Sequence, residues 1–360
     1  MDVKSKVLAL KYRPVVFEDI IGQEIVSDTI FNSIKINKTP NAYLFTGIRG
    51  VGKTTFARIV AKSLNCEKGI DNLCKENFCT HCESITNSNH LDVLEMDAAS
   101  KTGVDDVREL IEFSRYKPTY AKYKIFICDE VHMFSKSAFA ALLKTLEEPP
   151  PYLKFIFAST EVKKIPVTII SRCQRYDLSR VNTDELFSYL VEIKKNEGGR
   201  ISNDAIKLIV KLSEGSVRDS LSLLDRAMLV ENNGKELDLF KAQKIFGYFE
   251  KTILIDLIEQ IVNGNEDNVI NLYRRIYDTG VEPKIFLNEF LETLYYIKNI
   301  DYISLDGTNF DLNDKEFEKC KQISQKILKK DLLLLWQFTL NNLEKIDIVK
   351  NQNQFIEMFL

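Results

Sequence analysis

The 360-residue sequence contains no apolar run that approaches the roughly 20 residues needed to cross a bilayer as a helix. Its first residues, MDVKSKVLALKYRP, lack an apolar segment followed by a small-residue cleavage site, so they do not resemble a signal peptide. Internal repeats and low-complexity segments are also absent from the sequence. We therefore expect a cytoplasmic protein without a membrane partner.

The sequence also has little net charge, because 49 Lys and Arg residues stand against 52 Asp and Glu residues, a formal balance of -3. A protein that coats nucleic acid is usually basic over its whole surface. Any contact with DNA must therefore come from a local surface of this chain.

The distribution of apolar residues predicts two kinds of structure along the chain. Short apolar runs at 42–46, 91–97, 125–129, 155–160 and 175–178 alternate with helical patterns, which predicts a parallel sheet with helices on its faces. Beyond about residue 182 the apolar positions recur at helical spacing, as at Val217, Leu221 and Leu224. A chain of this length exceeds one compact core. We predict an α/β domain over residues 1–180, a small helical domain over 181–242 and a helical domain over 243–360.

Residues 47–54 read GIRGVGKT and match the phosphate-loop pattern G-x-x-x-x-G-K-[ST]. The motif follows an apolar strand and opens a helix, which is the context that it requires. Glycines let backbone N–H groups approach a polyanion, Lys53 would reach the β- and γ-phosphates, and the Thr54 hydroxyl would ligate Mg²⁺. The predicted nucleotide-binding residues of this loop are Gly47, Gly50, Val51, Gly52, Lys53, Thr54 and Thr55. The alternative is a glycine-rich turn with an incidental lysine.

Two carboxylates follow the apolar run in KIFICDEVHMF. At the carboxyl end of a buried parallel strand, Asp129 suits the Mg²⁺ shell and Glu130 suits the base that orients and deprotonates water. Thr160, at the tip of the next strand, would bond the γ-phosphate or the attacking water. The alternatives are a helix N-terminus with favourable charges at Asp129 and Glu130, and a plain N-cap at the tip of the later strand.

Four of the seven cysteines crowd into one stretch, Cys66-x7-Cys74-x4-Cys79-x2-Cys82. Four thiolates so close in sequence suit a closed, structural, tetrahedral zinc site rather than disulfides in a cytoplasmic chain. The alternative is a set of reduced cysteines packed as small apolar residues.

Five stretches carry a resemblance to a known family: VLALKYRPVVFEDIIGQE, LEMDAASKTGVDDVREL, ALLKTLEEPP, KIPVTIISRCQRYDL and GSVRDSLSLLD. Together they resemble the gamma/tau subunits of the bacterial DNA polymerase III clamp loader, which are AAA+ ATPases. The resemblance covers the first two predicted domains and is weaker over the third. It implies a P-loop AAA+ domain with a central parallel five-stranded sheet, a helical lid domain and an all-α collar domain that joins subunits.

The resemblance also implies roles for residues that spacing alone does not single out. Arg172, in Ser-Arg-Cys, would be an arginine finger that acts in trans on the neighbouring subunit's nucleotide. Arg218 would be a sensor on the lid. Arg13 and Pro14 begin the segment that closes over adenine and ribose, with Ile20 and Ile21 as apolar contacts for the base. From the residues alone, Arg172 and Arg218 would be ordinary surface arginines in salt bridges.

The family has a zinc module where the cysteine cluster lies, and one departure matters. The usual Cys-x2-Cys-x2-Cys run is stretched here between Cys74 and Cys79, so either Cys74 pairs less regularly or His81 substitutes for a cysteine. The module would present a surface to a partner.

The function implied is that of an ATP-driven motor subunit that opens the sliding clamp and loads it onto primed DNA. ATP, Mg²⁺ and structural Zn²⁺ are the implied cofactors. The implied partners are the other loader subunits in a hetero-oligomeric ring with several copies of this chain, the sliding clamp and primer–template DNA. Lys101 and Lys144 are candidate DNA contacts. The end at Leu360 resembles the short gamma form, and no polymerase carboxylate constellation is apparent. The alternatives are an ATP-binding scaffold with incidental hydrolysis and another AAA+ DNA-remodelling ATPase, such as a branch-migration helicase.

Overall fold

The computed structural model describes residues 7–100, 103–230, 236–248, 251–278, 280–302 and 314–360. Its contacts divide the chain into two compact units, Met1–Leu237 and Asp238–Leu360. The candidate DNA contact Lys101 lies outside the described residues. Within the described residues, every helix is too short or too polar to pass through a bilayer.

A five-stranded sheet forms the centre of the first unit. Its strands are β1 Ala42–Thr46, β2 Val93–Asp97, β3 Lys124–Asp129, β4 Leu153–Ser159 and β5 Gln174–Asp177. All neighbouring strands are parallel, in the order β2-β3-β4-β1-β5. This confirms the predicted sheet, and the predicted strand ends lie within two residues of those observed.

Ten α-helices belong to the described part of the first unit. They are α1 Leu8–Lys11, α2 Glu24–Lys35, α3 Lys53–Asn65, α4 Thr80–Thr86, α5 Val104–Ser114, α6 Lys136–Glu147, α7 Val167–Ile170, α8 Thr183–Asn196, α9 Asn203–Leu212 and α10 Val217–Val230. In α10, Leu221 and Leu224 are buried, as their spacing predicts.

Side chains of the central strands alternate between two apolar clusters, because successive residues of a strand point to opposite faces. Tyr43 and Phe45 of β1 join one cluster with Phe56 of α3. Ala42 and Leu44 join the other. Every residue of β1 and β4 is buried, as expected for parallel strands covered on both faces.

The second unit is helical. Its helices are α11 Leu239–Phe246, α12 Lys251–Asn263, α13 Glu266–Tyr277, α14 Pro283–Asn299, α15 Asp314–Lys326, α16 Lys329–Lys345 and α17 Gln352–Phe359. Its core gathers apolar residues of α12 to α17, among them Leu257, Phe286 and Phe290.

The parallel arrangement brings the carboxyl ends of all five strands to one edge. Asp97 is opposite Asp129 in the register of β2 and β3. Thr46 is opposite both Ser159 and Asp177. Polar residues from distant parts of the sequence therefore meet at this edge, which is where open α/β sheets bind ligands.

Candidate functional site

The phosphate loop links β1 to α3 and adopts a conformation that only glycine accommodates easily. Gly47 has φ +147° and Gly50 has φ +82°. A Cβ atom on Gly47 would lie 2.5 Å from the Leu178 carbonyl oxygen, and one on Gly50 would lie 2.0 Å from Ser216 Oγ. The loop can therefore keep its shape only with glycine at both positions.

Lys53 begins α3 directly after this loop and is only 5% exposed. Its Nζ donates hydrogen bonds to the carbonyl oxygens of Gly47 at 3.0 Å and Ile48 at 2.8 Å. Burial lowers the pKa of Lys53, while the charges of Glu130 and Asp129 act in the opposite direction. The ammonium group thus lies inside the loop, in the electrostatic field of both acids.

The predicted acids lie beside the loop at the end of β3. The Thr54 hydroxyl donates a hydrogen bond to Asp129 Oδ2. Glu130 Oε2 accepts hydrogen bonds from the Thr160 backbone N–H at 3.3 Å and from the Thr160 hydroxyl at 3.0 Å. The structure therefore brings together four residues that lie up to 106 positions apart in the numbering of the sequence.

A cleft of about 1000 Å³ opens above these residues within the first unit. Its lining includes Arg13, Pro14, Ile20, Ile21, Gly50, Val51, Gly52, Lys53, Thr54, Thr55, Asp129, Glu130, Thr160 and Arg218. Except for Gly47, all predicted nucleotide and Mg²⁺ residues of the loop and acid pair line this cleft. The Gly47 carbonyl oxygen accepts a hydrogen bond from Lys53, which does line it. The volume is within the range of small-molecule sites.

Two arginines that line the cleft make hydrogen bonds to the loop and to the start of α3. Arg13 Nε donates to Thr55 Oγ1 at 3.2 Å, and the Arg218 backbone N–H donates to the Gly50 carbonyl oxygen at 3.3 Å. Burial lowers the pKa of Arg13, and the nearby positive charge of Arg58 adds to this effect. Such a concentration of cationic groups favours a bound polyanion.

Arg172 lies between α7 and β5, outside the set of described residues that line the cleft. Its guanidinium donates to the Thr168 carbonyl oxygen at 2.7 Å and pairs with the Glu147 carboxylate at the end of α6. Lys144 is exposed on the same helix. Arg172 is therefore placed on the surface, and its action in trans stays a prediction.

The cysteine cluster lies between α3 and α4. The sulfur atoms of Cys66, Cys74, Cys79 and Cys82 all lie within 4.8 Å of one another, and those of Cys66 and Cys74 are 3.7 Å apart. Zinc–sulfur bonds of about 2.3 Å place tetrahedral sulfurs about 3.8 Å apart, so the observed spacing fits a metal. Burial disfavours the Cys79 thiolate, but backbone hydrogen bonds from Cys82 and Glu67 outweigh it and lower the pKa of Cys79 to about 7.

The His81 side chain contacts residues outside the group of four cysteines. Its Nδ1 lies 2.8 Å from His90 Nε2, and its Nε2 lies 3.8 Å from Glu67 Oε1. The long spacing between Cys74 and Cys79 is taken up by a bend in which Asn77 has φ +52°. The described donor set that fits a metal therefore consists of four sulfurs, without a histidine.

Sequence reasoning did not identify several residues that line the cleft or contact its lining residues. Tyr189 of α8 and Asp97 of β2 line it, and Ser216, directly before α10, lies beside Gly50. His132 Nδ1 lies 3.0 Å from Ser159 Oγ and 3.4 Å from Glu130 Oε2. His132 could have been found from its place two residues after Glu130. Ser216 lies two residues before Arg218 in the stretch GSVRDSLSLLD and could have been found from it, whereas nothing in the sequence around Tyr189 indicates the cleft.

Family models match three consecutive parts of the chain. Residues 22–182 match a model described as the delta subunit of DNA polymerase III. Residues 185–232 match the ATPase lid domain of the DNA polymerase III clamp loader subunit. Residues 237–360 match domain III of the DNA polymerase III subunits gamma and tau.

Similar proteins support the same relationship. The chain is 36% identical over 356 residues to the DNA polymerase III subunit gamma of Buchnera aphidicola subsp. Schizaphis graminum, covering 99% of this chain and 97% of that protein. It is 34% identical to the DNA polymerase III subunit tau of Escherichia coli, again over 99% of this chain but only 54% of that protein. The chain thus spans nearly all of one relative and about half of the other.

One solved structure supports the fold alone. It is the RuvB Holliday junction branch migration motor of Thermotoga maritima, with a TM-score of 0.50 and 17% identity over 70% of this chain and 79% of that one.

The family is assigned from the sequence relatives, and the architecture from the sheet with its helical lid. The chain belongs to the gamma/tau family of DNA polymerase III clamp-loader subunits, and its fold is that of an AAA+ ATPase.

Proposed function

We propose that this chain is an ATP-hydrolysing motor subunit that opens the sliding clamp and loads it onto primer–template DNA during replication. The observation that carries the proposal is the meeting of the Thr54–Asp129 and Glu130–Thr160 pairs beside the phosphate loop. A binding module needs a loop for phosphates. A hydrolase also needs a general base beside the terminal phosphate, where it can deprotonate the attacking water.

The loop supplies the binding groups for ATP. Backbone N–H groups of residues 50–55 and the N-terminus of α3 favour the phosphates, and the Lys53 ammonium neutralises the β- and γ-phosphate charge. Thr54 and Asp129 lie in contact beside the loop and are the residues that would hold Mg²⁺. Arg13, Pro14, Ile20 and Ile21 would enclose the nucleoside, since they line the same cleft.

Glu130 would act as the general base for the attacking water. Its carboxylate is held by two hydrogen bonds from Thr160, so the two groups lie together beside the phosphate loop. General-base catalysis of this kind contributes about 10²–10⁴-fold to the rate.

Arg218 would connect the nucleotide to the lid. Its backbone already contacts Gly50, and its side chain lines the cleft at the start of α10. ATP and ADP differ by the γ-phosphate, so an arginine that binds this group holds α10 differently in the two states. Hydrolysis is thereby converted into a change of conformation.

Arg172 would complete the active site of the adjacent subunit. It is on the surface and outside its own cleft, so the nucleotide that it could reach belongs to a neighbour. An arginine finger contributes about 10³–10⁵ to the rate of well-studied NTPases. A ring with several copies of this chain would use it, and nucleotidyl transfer would belong to a different subunit.

Structural zinc would be held by Cys66, Cys74, Cys79 and Cys82, since four thiolates close its coordination shell. The predicted helical domain over residues 243–360, which lies within the second unit, would form the collar that joins the subunits.

The test is steady-state ATP hydrolysis by the chain assembled with its loader partners, with and without sliding clamp and primed DNA. We expect strong stimulation by clamp and DNA in the wild type and its loss in Arg172→Ala. Arg180→Ala is the matched control, because Arg180 is an exposed arginine paired with Glu214.

Two results would contradict the proposal. A hydrolysis rate indifferent to clamp, DNA and Arg172 would favour an ATP-binding scaffold. Strand separation or branch migration driven by the purified chain alone would favour another DNA-remodelling ATPase.

A further inference from the structure

Lys62 is a buried lysine in the second half of α3, and its side chain is only 1% exposed. Its Nζ donates hydrogen bonds to the Val15 carbonyl oxygen at 2.7 Å and to the Cys74 carbonyl oxygen at 3.1 Å. It also lies 4.7 Å from the centre of the Phe78 ring. One ammonium group therefore joins the cysteine cluster to the segment that precedes α2.

A buried ammonium is costly unless opposite charge lies close to it. The partners of Lys62 at hydrogen-bond distance are neutral carbonyls, and the ion pairs among the described residues do not include it. One of these carbonyls belongs to Cys74, a member of the group of four cysteines whose sulfur atoms lie within 4.8 Å of one another. Zn²⁺ together with four thiolates has a net charge of about -2, which would match a buried cation.

The segment that Lys62 holds is the one proposed above to enclose the nucleotide. Val15 directly follows Arg13 and Pro14, which line the cleft. The same segment is fixed to α3 at two further points, where Arg13 bonds Thr55 at 3.2 Å and the Phe17 ring lies 6.4 Å from the Phe56 ring.

We propose that Lys62 is a positioning residue that couples metal occupancy of the cysteine cluster to nucleotide binding. The loaded cluster fixes the Lys62 ammonium, the ammonium fixes the Val15 carbonyl, and Arg13 and Pro14 are thereby held over the cleft. The inference rests on the proposed zinc site and gives it a role inside the subunit. Coupling between two binding sites is reciprocal, so nucleotide must also strengthen metal binding.

The first arm of the test uses only the wild-type full chain. Zn²⁺ affinity is measured by competition with a chromophoric chelator, with and without a non-hydrolysable ATP analogue. Affinity for the analogue is measured before and after the metal is stripped. We expect stripping to weaken the analogue about 5–10-fold, and the analogue to tighten Zn²⁺ by the same factor.

The second arm compares Lys62→Met, which removes the charge, with Lys62→Arg, which keeps it. Changes in groups that support metal ligands cost about 10–100-fold in affinity, so Lys62→Met should lose Zn²⁺ affinity by such a factor. Stripping the metal should then no longer change its affinity for the analogue. Lys68→Met is the control, since Lys68 is exposed and donates to the Asn77 carbonyl oxygen in the same module.

The outcomes separate this inference from the proposals on which it rests. If the wild type binds Zn²⁺ but stripping leaves analogue affinity unchanged, the coupling is refuted while the zinc site stands. If the wild type binds no Zn²⁺, the coupling and the zinc site are both refuted. Analogue binding and ATP hydrolysis then still test the motor function. The Co²⁺ absorption spectrum of each variant shows whether its thiolate site has formed.

Discussion

At the scale of single residues, Glu130 shows how the site is built around a constrained backbone. Its φ of +47° lies in the left-handed region, which costs a non-glycine residue roughly 1–2 kcal/mol. The conformation turns the carboxylate from the end of β3 toward Thr160, with which it makes two hydrogen bonds. Non-glycine residues in such conformations cluster at functional sites.

The variant Glu130→Gln tests its role as base. The amide keeps an oxygen for Thr160 but cannot take a proton from water. We expect kcat for ATP hydrolysis to fall about 10²–10⁴-fold and the affinity for ATP to change little. Glu112→Gln, at an exposed position of α5, should match the wild type in both. A Glu130→Gln enzyme with wild-type kcat would remove Glu130 from the chemistry.

Asp92 is a second residue with a local role that predicts a pH dependence. It is only 1% exposed and accepts hydrogen bonds from the backbone N–H groups of Thr119, Tyr120 and Ala121. Burial alone would raise its pKa, but these three donors hold the pKa of Asp92 below its usual value. The carboxylate thus fixes the loop that leads into β3.

Because the folded-state pKa is depressed, the stability that Asp92 contributes is present above the unfolded-state value of about 3.9 and is lost as pH falls through the folded one. Asp92→Asn should lower the free energy of unfolding by about 1.5–3 kcal/mol at pH 7. Urea unfolding at pH 7 and near pH 3 should show that difference shrinking in acid. Asp28→Asn, at an exposed position of α2, should change little, and a difference for Asp92→Asn that grows in acid would contradict this account.

At the scale of elements, the phosphate loop and the start of α10 touch at Gly50 and Ser216. Gly50→Ala would bring a Cβ to 2.0 Å from Ser216 Oγ and also place alanine at φ +82°. The cost of the steric clash depends on Ser216, whereas the cost of the left-handed backbone conformation does not.

The double variant Gly50→Ala/Ser216→Gly separates these two costs. We expect Gly50→Ala alone to lose nucleotide affinity by more than tenfold, and the double variant to recover part of it. The remaining loss should correspond to the roughly 1–2 kcal/mol of a left-handed alanine. Isothermal titration with ATP measures both, and equal losses in the two variants would show that the Ser216 contact is unimportant.

At the scale of the whole molecule, the chain separates into an α/β unit with its lid and a helical unit, each with its own apolar core. The complete predicted nucleotide site and the cysteine cluster lie in the first unit. We therefore expect a chain cut after Leu237 to bind ATP with wild-type affinity but not to join the loader ring. Light scattering of the truncated chain mixed with its partners measures assembly, and ring formation would contradict the collar assignment.

Much of this molecule could be read from its sequence because the determining interactions are local. Apolar runs followed by turn residues located all five strands, since a short buried strand needs little beyond its own side chains to be recognised. The phosphate loop was identified because its glycines, lysine and threonine all lie within residues 47–54. The four cysteines were recognised because a small metal site takes its ligands from one short stretch.

The tertiary structure decided what depends on pairing between distant segments. The strand order β2-β3-β4-β1-β5 sets which carboxyl ends are neighbours, and no local pattern encodes that order. The same holds for Tyr189 in the cleft and for the contact between Gly50 and Ser216. Lys62 is the clearest example of a contact that sequence alone does not predict, because only folding brings the Val15 carbonyl, 47 positions away, to its ammonium group. Composition and short-range spacing fixed the elements and the chemistry that they carry, whereas long-range packing fixed which groups meet.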